Sequence, residues 1–466
     1  LNAEERMSVH EARRGQAKVQ GPRLPQDVPG PGYKWAVVGM LWFICFFNYA
    51  DRQAIAAVLK VLQDQYGFDE FQLGLIGSAF MWVYAFTAPF AGQVGDRFSR
   101  KFIILAGLYV WSAITGFTAL CTKAWQFIFV RAAEGLGETF YFPASMSLVS
   151  DYHSPRTRSR AMSIHQTSVY AGTIGGSYLA GWMAQRYYWQ LPFILLGVLG
   201  IVLGLMLSAF IREPRRNEAQ LLEQQEADGT TNRARAVHVN RERALEHTDD
   251  APPIPMATFL AEMLRTPTAL ALVTAFFGAN FVGMIFLMWM PKFLGDKFGL
   301  SLAMAGLGAT FFIQIASMIG SVLGGVLADR WSKRLPGGRI AVQATGMILG
   351  APFILLCGQT QEMTILVGAM TLFGLFKGMY DANIWASLYD VVPASRRGTA
   401  VGLMNMIGWT GGALGVTLVG YVVSRGMTMS AAIASTAVVY LAVAAILLCA
   451  AFVFARRDVA RALALS

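Results

Sequence analysis

The sequence predicts an all-α membrane protein in which twelve transmembrane helices form two pseudo-symmetric six-helix bundles. Three observations carry that expectation. Hydrophobic residues make up 55% of the 466 residues and charged residues only 14%, with a mean hydropathy of +0.46, whereas soluble globular chains carry about 25% charge. The apolar residues fall into twelve long continuous runs, not the every-second-residue alternation of a membrane β-barrel. Polar landmarks in the first half of the chain also recur in the second.

A hydrocarbon core about 30 Å thick calls for roughly 20 apolar residues per helix. The runs cover roughly 35–60, 72–95, 101–121, 124–152, 160–185, 190–212, 266–294, 302–328, 338–358, 362–392, 397–424 and 428–455. The first follows a polar tail and lacks a small-residue cleavage pattern, so it reads as a retained span, not a signal peptide. The expected organisation is a tail (1–34), a first bundle (35–212), a polar linker (213–265), a second bundle (266–455) and a short final tail (456–466). The linker carries Arg215, Arg216 and the prolines 252, 253 and 255.

The formal charge is +10, but the cations sit in short clusters between apolar runs. Nucleic acid is therefore excluded as a partner, because that reading needs a basic folded face. Of the 38 Lys and Arg, 29 fall in the two tails and the even-numbered loops and 6 in the odd-numbered loops. By the positive-inside rule both termini are expected in the cytoplasm. The chain holds no N-x-[ST] glycosylation signal, which fits a multi-pass protein of a bacterial inner membrane. Cys45, Cys121, Cys357 and Cys449 lie far apart in apolar runs, so buried free thiols are expected, with neither disulfides nor a metal site.

The internal repeat is specific. Gly92, Asp96, Arg97, Ser99, Arg100 and Lys101 form a G-x-x-x-D-R-x-S-[RK]-[RK] string after span two. Gly325, Asp329, Arg330, Ser332, Lys333 and Arg334 repeat it after span eight. Gly135, Asp151, Gly172 and Gly176 match Gly374, Asp390, Gly411 and Gly415 at one constant offset, slightly longer than that of the string. Such repeats mark transporter folds. The string resembles the G-x-x-x-D-[RK]-x-G-[RK]-[RK] loop of the major facilitator superfamily, with Ser99 and Ser332 replacing the usual Gly. An acidic residue followed by cations at a cytoplasmic helix end can pair with charges of the other half and release them when the halves rock. A gate latch is therefore expected at Gly92, Asp96, Arg97, Arg100, Lys101, Asp151, Gly325, Asp329, Arg330, Arg334 and Asp390.

The three remaining cations, Arg52, Arg131 and Lys377, fall inside spans. A charge at a helix centre costs about 2.5–3.5 kcal/mol on insertion scales, so such residues are expected to face a cavity and have a task there. Span one reads Asn48-Tyr49-Ala50-Asp51-Arg52, and neighbours on a helix point about 100° apart. Asp51 or Arg52 must therefore reach another helix. Span four offers Arg131, Glu134 and Glu138 on one face. Asp51 and Glu138 are the expected proton couplers, with Arg52 or Arg131 as charge partners and Glu134 as a further coupler or the partner of Arg131. Protons are the expected coupling ion, with no cofactor. Lys377 is the counterpart of Glu138 under the repeat of spans four and ten, and is expected either to pair with Asp381 or to receive an anionic substrate group. Tyr141, His165, Gln166, Tyr170, Asn280, Gln314, Tyr380, Asn383 and Asn405, with Asn48 and Tyr49, complete the expected cavity.

Asn48-Tyr49-x-Asp51-Arg52, with Arg131 and Gly135-x-Gly137-Glu138, is similar to two branches of the superfamily. One is spinster-like and implies proton-linked movement of lysolipids, sphingolipids and related amphiphiles. The other, the anion:cation symporters, implies uptake of sugar acids and other organic anions. Arg212-Glu213-Pro214 leans towards the first and Phe140-x-Phe142-Pro143 towards the second, and the balance slightly favours the spinster-like branch. The expectation is a monomeric, proton-coupled transporter in a lipid bilayer, working by alternating access on a small-molecule or lipid-like substrate. No P-loop, nucleophile constellation or selectivity loop is present, which argues against an enzyme or a channel. A non-transporting sensor on the same fold is the rival from another class.

Overall fold

The computed structural model describes residues 32–153, 155–214, 256–393 and 396–464, without the side chains of residues 92–97, 155, 156, 159, 256, 257, 463 and 464. The expected first tail up to residue 31, most of the linker, and the gate side chains of Gly92, Asp96 and Arg97 lie outside the described residues.

The described residues form α-helices without strands. In the first half these are α1 (Tyr33–Tyr66), α2 (Glu70–Arg97), α3 (Arg100–Thr118), α4 (Ala124–Glu138), α5 (Tyr141–Tyr152), α6 (Pro155–Arg186) and α7 (Leu191–Phe210). A short α8 (Met256–Leu264) leads to α9 (Pro267–Phe298), α10 (Leu302–Ser332), α11 (Gly338–Gln359), α12 (Met363–Asp381), α13 (Ile384–Val391), α14 (Arg397–Ser424) and α15 (Met429–Cys449). A π turn, Ala450–Phe454, joins α15 to α16 (Ala455–Ala464). Among the described residues nine helical stretches are long and apolar enough to cross a membrane. The other expected spans, one, four and five, map onto α1, the α4–α5 pair and α6, which carry the polar residues of the site. We call the end where α1 begins and α16 lies the terminal end, and the opposite one the distal end.

Two expected spans are broken. Span four stops at Glu138 and restarts at Tyr141, where Pro143 lacks the N–H that would continue the ladder back to Thr139. Span ten breaks between Asp381 and Ile384, and there Asn383 Nδ2 donates to the carbonyls of Met379 (3.0 Å) and Gly324 (3.1 Å). Both breaks shorten the helices close to the in-membrane charges.

The two halves repeat in detail. Helices α1 and α9 end on the equivalent glycines Gly67 and Gly299, with φ of 68° and 63°, a left-handed conformation that only glycine adopts cheaply. In the first half Gly176 of α6 lets α1 approach so closely that an added Cβ would sit 2.3 Å from Ala50 Cα. Its counterpart Gly415 of α14 does the same against α9, at 2.6 Å from the Phe281 carbonyl oxygen. Without a hydrophobic drive between helices in lipid, such close backbone contact supplies the packing. Gly176→Val is expected to lower the melting temperature sharply, because about 1–3 kcal/mol of overpacking strain falls on backbone that cannot yield. A thermal-unfolding curve in detergent reads it.

The exterior is apolar and the apolar core also encloses charges, unlike a soluble protein. Charged and polar groups such as Arg131, Glu134, Glu138 and Asp51 are buried, while Val198, Leu205, Phe210, Val438 and Phe452 are exposed on the apolar belt. Three of the cysteines are buried, but Cys449 is exposed, which corrects the expectation for that thiol. It sits at the end of α15, next to the exposed Phe452 and Val453 of the same belt.

Candidate functional site

The in-membrane charges of the first half converge. Arg52 Nε donates to Glu138 Oε2 at 2.5 Å, joining α1 to α4. Asp51, pointing elsewhere on α1, meets Thr115 of α3, whose hydroxyl lies 3.4 Å from Asp51 Oδ2 and donates to Glu134 Oε1 at 3.1 Å. Arg131 pairs with Glu134 one turn along α4. Five ionisable groups therefore share one buried cluster, with two guanidiniums and three carboxylates. Among the described residues Asp51 makes no direct ion pair, and its Oδ1 has no hydrogen-bond partner. If every group is ionised, the cluster carries one surplus negative charge. A single proton makes it neutral.

Arg52 is also the point where the cluster meets the other half. Its guanidinium stacks within 4.6–5.8 Å of the rings of Tyr49, Phe80, Tyr84 and Trp409, an aromatic enclosure in which cation–π attraction adds to the ion pair. Trp409 comes from α14 of the second half and packs 4.7 Å from Tyr84.

The second half places a different pair at the matching depth. Lys377 Nζ donates to Asp381 Oδ2 at 2.5 Å within α12, with side-chain exposures of 23% and 40%. Tyr170, on α6 of the first half, is within electrostatic reach of both. The repeat explains the asymmetry. Lys377 replaces Glu138, and on the facing α9 an added Cβ at Gly283 would be 3.5 Å from Lys377 Cε. The first half thus holds a closed arginine–carboxylate pair, and the second a partly open lysine in space left by a glycine.

The remaining expected cavity residues separate into two groups. Gln166, Tyr170, Asn280, Gln314 and Asn405 are half-buried. Asn48, Tyr141 and His165 are fully buried inside the first half, where Tyr141 donates to the Leu41 carbonyl at 2.9 Å and lies 3.5 Å from His165 Nε2. Tyr380 sits in the packed core of the second half, and Asn383 bonds backbone between α10 and α12, so neither faces an open space.

At the terminal end the charges form two triads, each built on an equivalent Arg–Asp pair. Arg100 lies 3.1 Å from Asp151 and 3.6 Å from Glu213. Arg339 bonds Asp390 at 2.7 Å and lies 3.7 Å from Asp329. Arg100 and Arg339 are related by the offset of spans four and ten, so the packing equivalence follows that register and not the register of the loop string. Arg330 and Arg334 are exposed, Lys101 Nζ donates to the Ser208 carbonyl, and nothing lies within 4 Å of a Cβ added at Gly325. Among the described residues no ion pair joins α1–α7 to α9–α16 at this end.

Sequence reasoning overlooked three members. Arg339 looks like any loop cation. Glu213, just past α7, accepts from Ser99 Oγ and from the backbone N–H groups of Arg100 (3.0 Å) and Lys101 (2.7 Å), so it caps α3. Its Arg-Glu-Pro setting was the available signal. Glu213→Ala is expected to cost about 1–2 kcal/mol, the usual worth of a lost cap, read as a lower unfolding temperature with the helix content unchanged. Lys292, close to the end of the seventh apolar run and not singled out from the sequence, is buried in α9 at 6% exposure.

A helical membrane fold of two repeated halves, with buried charges where the halves meet, defines a secondary transporter. The chain belongs to the Major Facilitator Superfamily, whose pattern it matches over residues 41–416 and 314–464. It is therefore a membrane transporter, not an enzyme. It is 26% identical over 404 residues to the probable galactarate/D-glucarate transporter of Bacillus subtilis (strain 168), covering 84% of this chain and 86% of that protein. To human protein spinster homolog 1 it is 27% identical over 403 residues, covering 79% of this chain and 69% of that one. A solved bacterial homologue of the human lysosomal transporter spinster, in an inward-facing and occupied conformation, shares the fold with a TM-score of 0.68, over 92% of this chain and 97% of that one, at 20% identity.

Proposed function

We propose that this transporter couples the movement of a small hydroxylated organic anion, of the sugar-acid class, to protons. The observation that carries the reading is the surplus carboxylate: three buried acids face two guanidiniums, and Asp51 is the acid without a direct ion pair among the described residues. Burying an unpaired charge is expensive, so the cluster favours one bound proton whenever it is closed from water. Arg52 and Lys377, from opposite halves, supply cations for an anionic group, and the half-buried amides of Gln166, Asn280, Gln314 and Asn405 suit hydroxyl partners. The likeness to a galactarate/D-glucarate transporter supports this class.

In this reading the terminal end is cytoplasmic and both described chain ends face the cytoplasm, and the described ion pairs that cross between the halves lie at the opposite, outer end. Transport is alternating access about Arg52 and Lys377, with Asp51 and Glu138 as the proton-exchanging acids. An amphiphile such as a lysolipid is the second reading, favoured by the likeness to spinster homolog 1. Purified protein in liposomes, challenged with galactarate, glucuronate and lysophospholipid under an acid-outside gradient, tests both. Gradient-driven accumulation of a sugar acid is the expected result, and accumulation of the lysolipid alone overturns the substrate class.

A further inference from the structure

At the distal end one connected network of ionic side chains spans the two halves. Lys60, late in α1, pairs with Asp296 of α9. Asp296 also accepts from Lys292, one turn earlier, at 2.6 Å. Lys292 in turn lies 3.9 Å from Glu70 at the start of α2, and Gln63 of α1 donates to the same Glu70 oxygen at 2.8 Å. Two lysines and two carboxylates make the network neutral as a unit. Beneath it Gln53 donates to the Leu287 carbonyl (2.7 Å) and Thr417 to Ser78 Oγ (2.8 Å), also across the halves. A lysine as buried as Lys292 must stay paired, since removing its partners leaves a charge that water does not reach.

Of the four groups that face the opposite half, Asp296, Lys292 and Glu70 each have a second contact in their own half, and Lys60 feels the charge of an acid one turn on. Parting α1 and α2 from α9 breaks Lys60–Asp296 and Lys292–Glu70. Asp296 keeps Lys292 at i−4 on the same helix. Glu70 keeps Gln63. Lys60 has Asp64 at i+4, an exposed acid whose charge already acts on it.

We propose that these residues form a partner-exchange latch, in which opening of the distal end swaps inter-half ion pairs for pairs within each half and strands no buried charge. The two states then differ by the difference between pair strengths, which single substitutions shift in either direction. Removing an inter-half partner favours the distal-open state. Removing a within-half fallback favours the distal-closed state. The latch rests on the alternating-access reading but not on the substrate or the coupling ion.

The test uses the full-length protein in lipid nanodiscs, without substrate or gradient, in a Cys449→Ser background. Spin labels on Thr122→Cys and Gln361→Cys, in distal loops of opposite halves, report the opening as a distance distribution. Glu70→Gln is expected to raise the ratio of open to closed protein about fivefold, and Asp64→Asn to lower it, by an amount in the range of partly exposed ion pairs. Both variants must keep the wild-type unfolding temperature within a few degrees, which separates a population shift from misfolding. Shifts in the same direction, or no shift in either, overturn the latch. A wholly absent open population in wild type and both variants, with sugar-acid flux intact, overturns the latch and the large distal opening beneath it, whereas failure of proton coupling leaves these distances untouched.

Discussion

Asp51→Asn protein in liposomes is expected to exchange labelled sugar acid across the membrane but not to accumulate it against a gradient. A difference of one pH unit is worth about 1.4 kcal/mol per proton, so a one-proton symporter concentrates its substrate about tenfold for each unit of acid-outside gradient. With Asn at 51 the buried cluster is permanently neutral, two guanidiniums against two carboxylates, and has no reason to take up or release a proton when access changes. The expected accumulation ratio is therefore about one, with counterflow exchange retained. Glu138→Gln removes the Arg52 partner as well as an acid. It should show the same loss of coupling together with a weaker apparent affinity, because Arg52 is then held only by its aromatic neighbours. Retention of tenfold accumulation by Asp51→Asn would sink the coupling assignment.

Much of this architecture is legible in the sequence because bilayer physics allows few alternatives. Long apolar runs must be helices, and a charge inside one needs a partner, so Asp51, Arg52, Arg131, Glu134, Glu138 and Lys377 stand out without any structure. The i, i+3 spacing even names Glu134 as the Arg131 partner. What the sequence hides is the direction of side chains with equal polarity. Tyr380 and Asn383 lie only a few residues from Lys377, yet one enters the second-half core and the other bonds a neighbouring backbone. The helix break at Ala382 turns the chain at that point, and periodicity carries no record of such a break. Lys292 was hidden for a different reason. It lies one turn before Asp296 near a span end, where a cation costs little and looks like ordinary flanking charge. Only the approach of α2 and its Glu70 shows that the lysine is enclosed. Arg339 shows the same limit at the opposite end: the Arg100–Asp151 and Arg339–Asp390 pairs share one offset and are invisible while the loop string suggests another.

Arg131→Met should be among the most destabilising substitutions in the chain, and it separates structural charges from coupling charges. Arg131 and Glu134 are 2% and 1% exposed and bonded to each other. Truncating one partner of such a pair costs about 3–5 kcal/mol, since the other is left charged and unsolvated, whereas replacing both by uncharged groups of similar volume is often nearly neutral. Arg131→Met alone is therefore expected to yield little folded protein, and Arg131→Met with Glu134→Gln to recover an unfolding temperature close to wild type, with Gln still able to accept from Thr115. The charge count then makes a second statement. In the double variant Asp51 and Glu138 face Arg52 alone, so one carboxylate remains in surplus and the cluster still needs one proton when closed. Gradient-driven accumulation should persist in the double variant while it vanishes in Asp51→Asn. Loss of coupling in a stable double variant would move Glu134 from a packing partner of Arg131 into the proton path, with Thr115 as the bridge between the two acids.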